Sequence, residues 1–203
     1  ISASLVSTLL EASGIDRVLT LDLHSKQIEG FFKIGVQNFD SLQLFSPSLK
    51  NKENHIIVSP DIGGITRAEK FADMLGLELA VINKKRTSEG KCIMNNIIGD
   101  IKGKNCIIID DIIDTGGTLI SACELLLQKQ AKSVSACITH GVFSGSCLKN
   151  IEESPIKNFY ITNSIEQTEL PKKIKVISIS DIFVDALQDL TRNKPYIGIS
   201  NAT

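Results

Sequence analysis

The chain has 203 residues, of which 42% are hydrophobic, so it is long enough to bury a substantial core. Its 22 Lys and Arg residues balance 23 Asp and Glu residues, which argues against a surface that binds nucleic acid or membranes. No apolar run approaches the roughly 20 residues of a transmembrane helix, no secretory signal pattern opens the chain, and the five cysteines are scattered. We therefore expect a cytoplasmic protein with reduced thiols.

Strand-like and helix-like segments alternate along the chain. In order, the pattern predicts a helix at 2–13, strands at 18–23 and 56–59, a helix at 65–75, strands at 77–82 and 105–110, a helix at about 119–130, strands at 133–139, 159–162 and 174–179, and a helix at about 181–192. The strands are continuous apolar runs, which is typical of parallel strands buried on both faces. Alternation with short connections predicts an α/β fold with a doubly wound, mostly parallel sheet.

The stretch IIIDDIIDTGGT (107–118) carries the strongest chemical signal. Such sheets bind ligands at the carboxyl ends of their strands, and here two adjacent carboxylates, Asp110 and Asp111, come at that point. The residues Thr115 to Thr118 would open the next helix, so their unpaired N–H groups could hold a phosphate. The carboxylates then need ribose hydroxyls or a divalent metal. An ordinary strand-to-helix turn with an Asp or Thr N-cap is the alternative. One Asp would be enough for that cap, whereas this stretch has three Asp residues and Thr-Gly-Gly-Thr.

A second turn of the same kind lies in VSPDIGGITRAEK (58–70), where Asp61 and the pair Gly63-Gly64 follow a strand. Arg67 lies one turn into the helix that begins there. By itself the turn is a weak signal. Beside the first turn it makes a matched pair of anion-binding turns.

The turn at 107–118 resembles the phosphoribosyl-diphosphate signature of type I phosphoribosyltransferase folds, and the chain has no P-loop pattern. A third stretch, DLHSKQIEGFF (22–32), closely resembles a signature of the ribose-phosphate pyrophosphokinase (PRPP synthetase) family, which ordinary phosphoribosyltransferases lack. Five further motifs extend the resemblance along the chain: SPDIGG, NKKR, IIGDIKGK, DDIIDTGGT and THGVFSG.

The resemblance implies an enzyme that transfers the diphosphate of ATP to the C1 hydroxyl of ribose 5-phosphate, giving PRPP and AMP with Mg²⁺ as cofactor. The positions that match the family's ribose 5-phosphate site are Asp110, Asp111, Asp114, Thr115, Gly116, Gly117 and Thr118. Its diphosphate loop matches Asp61, Gly63 and Gly64, and its metal contacts match His24 and Asp61. Lys84 and Arg86 match its catalytic loop, and we expect them to follow a strand and close over the phosphates.

The resemblance also implies a domain organisation. Residues 1–40 would be the remnant of an N-terminal phosphoribosyltransferase-like lobe, 41–180 the catalytic domain, and 181–203 a C-terminal helix and tail that pack back on the first lobe. The stretch 41–55 is polar and irregular, as a domain boundary would be. Family members carry a further N-terminal half-domain, with much of the adenine site, before ISASLVSTLL, so we expect the 203-residue chain alone to have little activity.

The expected partners are ATP and ribose 5-phosphate, with phosphate as an activator, further copies of the chain (a hexamer in the family), and neither nucleic acid nor membrane. Two alternatives remain open. One is a PRPP-using phosphoribosyltransferase, against which DLHSKQIEGFF argues. The other is a non-catalytic regulatory homologue that binds synthetase subunits, which would have no physical need of Lys84, Arg86 and the full DDIIDTGGT turn.

Overall fold

The computed structural model describes residues 2–49, 53–86 and 92–191, except for the side chains of 84–86, 92–95 and 191. The elements in chain order are α1 (Ser2–Ala12), β1 (Arg17–Leu21), β2 (Gly35–Phe39), α2 (Leu42–Phe45), β3 (His55–Ser59), α3 (Ile65–Leu75), β4 (Glu78–Arg86), β5 (Cys92–Ile98), β6 (Asn105–Ile113), α4 (Gly117–Gln128), β7 (Ser133–Gly141), α5 (Cys147–Glu153), β8 (Asn158–Thr162), β9 (Ile174–Ile177) and α6 (Ser180–Thr191). No helix within these ranges is long and apolar enough to cross a membrane.

The chain divides into two compact units. Ser41–Ile177 form the larger one, and Ile1–Asp40 together with Ser178–Thr203 form the smaller one. The domain boundaries predicted after residues 40 and 180 stay predictions. The interpretation of residues 1–40 as the remnant of a lobe stays a prediction.

A seven-stranded sheet in the order β5-β4-β3-β6-β7-β8-β9 forms the centre of the larger unit. All neighbouring strands run parallel except β4 and β5, which are antiparallel. The mostly parallel sheet that the apolar runs predict is thus confirmed. Because β3 and β6 are neighbours at the centre, the turns that follow them lie side by side at the carboxyl edge.

Alternate residues of the central strands pack into two separate cores. Ile56, Val58 and Ile108 pack on one face with Leu126 and other residues of α4 and α5. On the opposite face, a second cluster is formed by residues of the sheet, α2 and α3: Leu42, Phe45, Ile57, Ala68, Phe71, Ala72, Leu75, Ile107, Ile109, Cys137 and Tyr160. Helices therefore cover both faces, and the predicted doubly wound architecture is confirmed.

The smaller unit has two parallel strands, β1 and β2, in a register that places Leu21 opposite Phe39. The ring of Phe39 meets that of Phe183 from α6 edge-on, with 5.4 Å between ring centroids. In α1, the buried Ser7 donates a hydrogen bond to the carbonyl of Phe31, 3.1 Å away. These contacts join segments from both ends of the chain in one unit.

Candidate ribose-phosphate site

β6 runs to Ile113 instead of ending at residue 110 as predicted, so Asp110 and Asp111 lie within its last four residues. The two carboxylates have different surroundings. Asp111 is buried, and its Oδ2 lies 3.3 Å from Nη2 of Arg67. Its backbone N–H donates to Oδ1 of Asp110 at 2.9 Å, which holds the two residues in a fixed arrangement. Arg67 belongs to α3, and its side chain is only 18% exposed. An ion pair so shielded from water fixes the position of both groups.

Among the described residues, Asp110 forms no ion pair comparable to that of Asp111. Burial raises the pKa of Asp110 to about 7, and the negative charges of Asp111 and Asp61 act in the same direction. The bond from the Asp111 N–H opposes this rise without cancelling it. A ligand that offers hydroxyl donors or a divalent cation would stabilise the ionised form of this buried carboxyl group. Both are features of a sugar phosphate accompanied by metal.

The turn after β6 is shaped by glycine. Gly116 has φ +80°, and a Cβ there would lie 2.8 Å from Sγ of Cys147, so both the backbone and the space favour glycine. At Gly117 a Cβ would meet no atom within 4 Å, so the space in front of this residue is open. We call residues 114–118 the ribose-phosphate loop.

Helix α4 begins at Gly117, which corrects the predicted start at Leu119. Thr118 therefore lies in the first turn of the helix rather than before it. The N–H groups of a first helical turn have no partner within the helix and carry the positive end of its dipole. Together with the hydroxyl of the exposed Thr115, they make the open face of Gly117 suited to a phosphate, and Asp114 is exposed beside it.

The turn after β3 is ordered by Asp61. Its Oδ1 accepts a hydrogen bond from the N–H of Gly64 at 3.0 Å, and its carbonyl accepts one from Oγ of Ser59 at 2.7 Å. A Cβ at Gly64 would lie 2.9 Å from Ser59 Oγ, and one at Gly63 would lie 3.3 Å from Asp61 Oδ1. Both glycines of the predicted diphosphate loop are therefore closely packed.

Arg67 joins the two turns. Arg67 lies in the first turn of α3, beside the diphosphate loop, and its guanidinium reaches the carboxylate of Asp111 near the end of β6. Sequence reasoning placed Arg67 with the second turn but missed this pairing. The parallel register of β3 and β6, with Val58 opposite Ile108, brings the two turns within reach of one side chain.

Lys84 and Arg86 lie within β4, opposite Met94 and Cys92 of the antiparallel strand β5. The expectation that they follow a strand ending at residue 82 is wrong, because pairing with β5 extends the strand to Arg86. Their side chains lie outside the described residues, as do residues 87–91. Their catalytic role stays a prediction.

His24 lies in the smaller unit and is exposed. It follows Asp22, a buried non-glycine residue with φ +42° whose N–H donates to the carbonyl of Phe39 at 2.9 Å. The N–H of Leu23 donates to Oδ1 of Asn38 at 3.2 Å, which helps to fix this turn. Metal binding by His24 and Asp61 stays a prediction.

The segment after β7 also contributes to the ribose-phosphate loop. The N–H of Ser144 donates to the carbonyl of Asp114 at 3.0 Å, and that of Val142 donates to the carbonyl of Ile113 at 2.9 Å. The sequence motif THGVFSG contains these residues, but motif reading gave them no role. The two glycines that flank Val142–Ser144 were the available signal of a specially shaped loop.

Comparison with known proteins agrees with this geometry. Residues 88–196 match the family described as "Phosphoribosyl synthetase-associated domain". The chain is 42% identical over 201 residues to the ribose-phosphate pyrophosphokinase of Clostridium acetobutylicum, covering 96% of this chain and 63% of that protein. It is 44% identical over 196 residues to the ribose-phosphate pyrophosphokinase of Helicobacter hepaticus, again covering 96% and 63%.

A solved structure gives the same result. The phosphoribosylpyrophosphate synthetase from Mycobacterium smegmatis superimposes with a TM-score of 0.88 at 37% identity, over 95% of this chain and 64% of that one. The chain thus spans somewhat less than two thirds of the length of the relatives that it matches.

Proposed function

Because the chain belongs to the ribose-phosphate pyrophosphokinase family, we propose that it serves the formation of PRPP and AMP from ATP and ribose 5-phosphate in nucleotide biosynthesis. The observation that carries the proposal is the pair of turns after β3 and β6, joined by the ion pair of Arg67 and Asp111. One turn fits the sugar phosphate and the neighbouring turn fits the diphosphate. A non-catalytic regulatory homologue has no physical need of this set of groups, and the stretch DLHSKQIEGFF argues against a phosphoribosyltransferase.

Each turn has a distinct task in the proposed reaction. Asp110 and Asp111 accept hydrogen bonds from ribose hydroxyls, while the first turn of α4 binds the 5-phosphate. The sugar is then oriented with its C1 hydroxyl toward the diphosphate loop. The C1 oxygen forms a bond to the β-phosphorus of ATP, the bond from that phosphorus to the α,β-bridging oxygen breaks, and AMP leaves. Positioning is the main demand that phosphoryl transfer makes on a protein.

The hydroxyl proton and the developing charge also need groups to receive them. Asp110, with its raised pKa, can take up a proton near neutral pH. Lys84 and Arg86 are proposed to stabilise negative charge on the transferring group, as the resemblance implies. No covalent intermediate with the protein is required.

The acidic residues of the site fit Mg²⁺ when phosphates accompany it. Among the described residues no group of three or more His, Cys, Asp or Glu side chains is arranged to hold a metal ion. Mg²⁺ commonly binds to proteins through one or two carboxylates together with substrate phosphates, and Asp61 could provide such a carboxylate beside the diphosphate loop. The ion would neutralise charge on the diphosphate.

Self-association is proposed as well. Leu5 and Leu9 of α1 are 61% and 60% exposed, and Val184 and Leu187 of α6 are about half exposed. Apolar side chains on the two helices of the smaller unit suit contacts with further copies of the chain. We also propose a cytoplasmic location, because the scattered cysteines suit a reducing compartment. We propose no nucleic-acid partner, because acidic and basic residues are nearly equal in number.

Calorimetric titration tests the assignment of the sugar-phosphate ligand. Ribose 5-phosphate should bind the wild-type chain, and ribose, which lacks the phosphate, should bind far more weakly. The Asp111→Asn variant should bind ribose 5-phosphate at least about tenfold more weakly, because it loses the charged acceptor and its pairing with Arg67. Equal affinity of a folded Asp111→Asn variant would remove the assignment. Release of diphosphate from PRPP on adding a nucleobase would favour the phosphoribosyltransferase alternative.

A further inference from the structure

The ribose-phosphate loop depends on a second loop for its shape. Residues 142–146, here called the β7–α5 loop, donate three backbone hydrogen bonds to it and to the end of β6. Val142 and Phe143 both donate to the carbonyl of Ile113, at 2.9 and 3.4 Å, and Ser144 donates to that of Asp114 at 3.0 Å. These bonds fix the direction in which the chain leaves β6. They therefore help to set where the N–H groups of the ribose-phosphate loop point.

The middle of the ribose-phosphate loop, at Gly116, is supported by the helix that follows the β7–α5 loop. Cys147, the first residue of α5, is fully buried. Its Sγ lies 2.8 Å from the point that a Cβ on Gly116 would occupy, so the sulfur packs against the backbone there. The ribose-phosphate loop is thus held at its start by backbone hydrogen bonds and at its middle, Gly116, by a buried side chain.

The β7–α5 loop is itself anchored. Phe143 has φ +54° and a buried ring that packs against Phe159, with 6.3 Å between centroids. At its N-terminal end, Nε2 of Gln167 donates a hydrogen bond of 2.7 Å to the carbonyl of Gly141. Gly141 is the register partner of Ile113 in the sheet. The hydrogen bond from Gln167 therefore holds the direct sheet neighbour of Ile113, the residue that precedes the ribose-phosphate loop.

We propose that Gln167 is a positioning residue for the ribose-phosphate loop and acts on it through Gly141 and the β7–α5 loop. The identity of the ligand rests on the proposed function, but the mechanical link rests only on the hydrogen bonds. Gln167 lies after β8, is partly buried, and belongs to none of the motifs that the sequence offered. Losing its amide should loosen the β7–α5 loop and weaken the binding of ribose 5-phosphate without unfolding the sheet.

Two variants and two controls test this link. Gln167→Leu removes the donor at nearly constant size, and Gln167→Glu places a carboxylate against the Gly141 carbonyl. Gln128→Leu and Gln128→Glu make the same chemical changes at an exposed position at the end of α4. Amide hydrogen exchange and calorimetric titration with ribose 5-phosphate are measured on all four variants and on the wild type.

In Gln167→Leu the amides of Val142 and Ser144 should exchange at least about threefold faster, because the loss of one hydrogen bond lowers the cost of local opening. The amide of Ile57 in β3 should be unaffected. Affinity for ribose 5-phosphate should fall about threefold to tenfold, and further in Gln167→Glu. Both Gln128 controls should match the wild type in both measurements.

Three results would overturn the proposal. They are unchanged exchange at Ser144, unchanged affinity in a chain that does bind ribose 5-phosphate, and equally faster exchange at Ser144 and Ile57, which would mark a general loss of stability. If the wild type does not bind ribose 5-phosphate, the proposed ligand falls. In that case, faster amide exchange at Ser144 but not at Ile57 still supports the link between Gln167 and the loop.

Discussion

At the scale of single residues, the buried carboxyl of Asp110 lowers the stability of the fold at neutral pH, and we propose that it also binds the ribose hydroxyls. Burial and the adjacent carboxylates raise its pKa to about 7, so the folded protein holds a proton there that the unfolded chain releases near pH 4. Between those values the folded state binds more protons than the unfolded state. The contribution of this group to stability therefore falls as pH rises from about 4 to about 7, and stays low above that.

Replacing Asp110 with Asn should remove this cost while weakening ligand binding. At pH 8.5 the Tm of Asp110→Asn should exceed that of the wild type by about 2–4 °C, and the difference should be clearly smaller at pH 5 and vanish below about pH 4. Thermal unfolding followed by circular dichroism across this range measures it. Asp100→Asn, at an exposed site outside the ribose-phosphate loop, is the control. A gain that is the same at pH 5 and pH 8.5 would contradict the explanation by proton binding.

Gly116 and Gly117 are adjacent, yet they should respond differently to alanine. Gly116→Ala combines a positive φ with a clash against Cys147 and should cost about 1–3 kcal/mol of unfolding free energy. Gly117→Ala adds a methyl group to open space, so stability should change little, while ribose 5-phosphate binding weakens because the methyl occupies the ligand's position. Urea unfolding and calorimetry on both variants separate the two effects. Unimpaired binding by Gly117→Ala would show that the ligand lies elsewhere.

At the scale of elements, Arg67 and Asp111 connect α3 to the end of β6. The single variants Arg67→Met and Asp111→Asn should each destabilise the protein, because each removes one half of a shielded ion pair. The double variant should lose less than the sum of the two. A coupling free energy of about 1–3 kcal/mol is expected from a double-mutant cycle in urea. Strict additivity would show that the contact does not stabilise the fold.

The main strands and helices of the larger unit could be predicted from the sequence because they are long, apolar and regularly spaced. The end of α3 was also readable: the predicted helix at 65–75 ends at Leu75, before Gly76 with φ +65°. β2 and β5 were missed. The first is a short strand in GVQNF and the second carries two asparagines, Asn95 and Asn96, so neither shows a long apolar run. Short α5, CLKNIEE, is mostly polar and was missed for the same reason.

The ribose-phosphate loop could be predicted from the sequence, whereas the side-chain contacts that hold it in place could not. Adjacent carboxylates followed by Thr-Gly-Gly-Thr are a local pattern, whereas the pairing of Arg67 with Asp111 and the bond from Gln167 to Gly141 join residues far apart in sequence. Such contacts depend on strand order and register, which a single sequence does not display. The antiparallel extension of β4 through Arg86 was missed because β5, its partner, was missed.

At the scale of the whole molecule, the chain covers 63% of the length of the first relatives. The 203-residue polypeptide by itself should therefore bind ribose 5-phosphate yet release little AMP from ATP and ribose 5-phosphate with Mg²⁺. Its exposed apolar side chains on α1 should also drive self-association, visible by sedimentation. An AMP-release assay and sedimentation on one sample check both expectations. Rapid turnover by a monomer would contradict them together.

The central claim is that the loop at the end of β6 binds ribose 5-phosphate. Amide chemical shifts of the isotopically labelled chain, followed during titration with ribose 5-phosphate, test it most directly. The largest changes should fall on Thr115 through Leu119, with smaller changes at Asp110 and Asp111. Ribose at the same concentrations should leave the amides of Gly117 and Thr118 nearly unmoved. Saturable changes that avoid this loop and cluster elsewhere in the chain would contradict the claim.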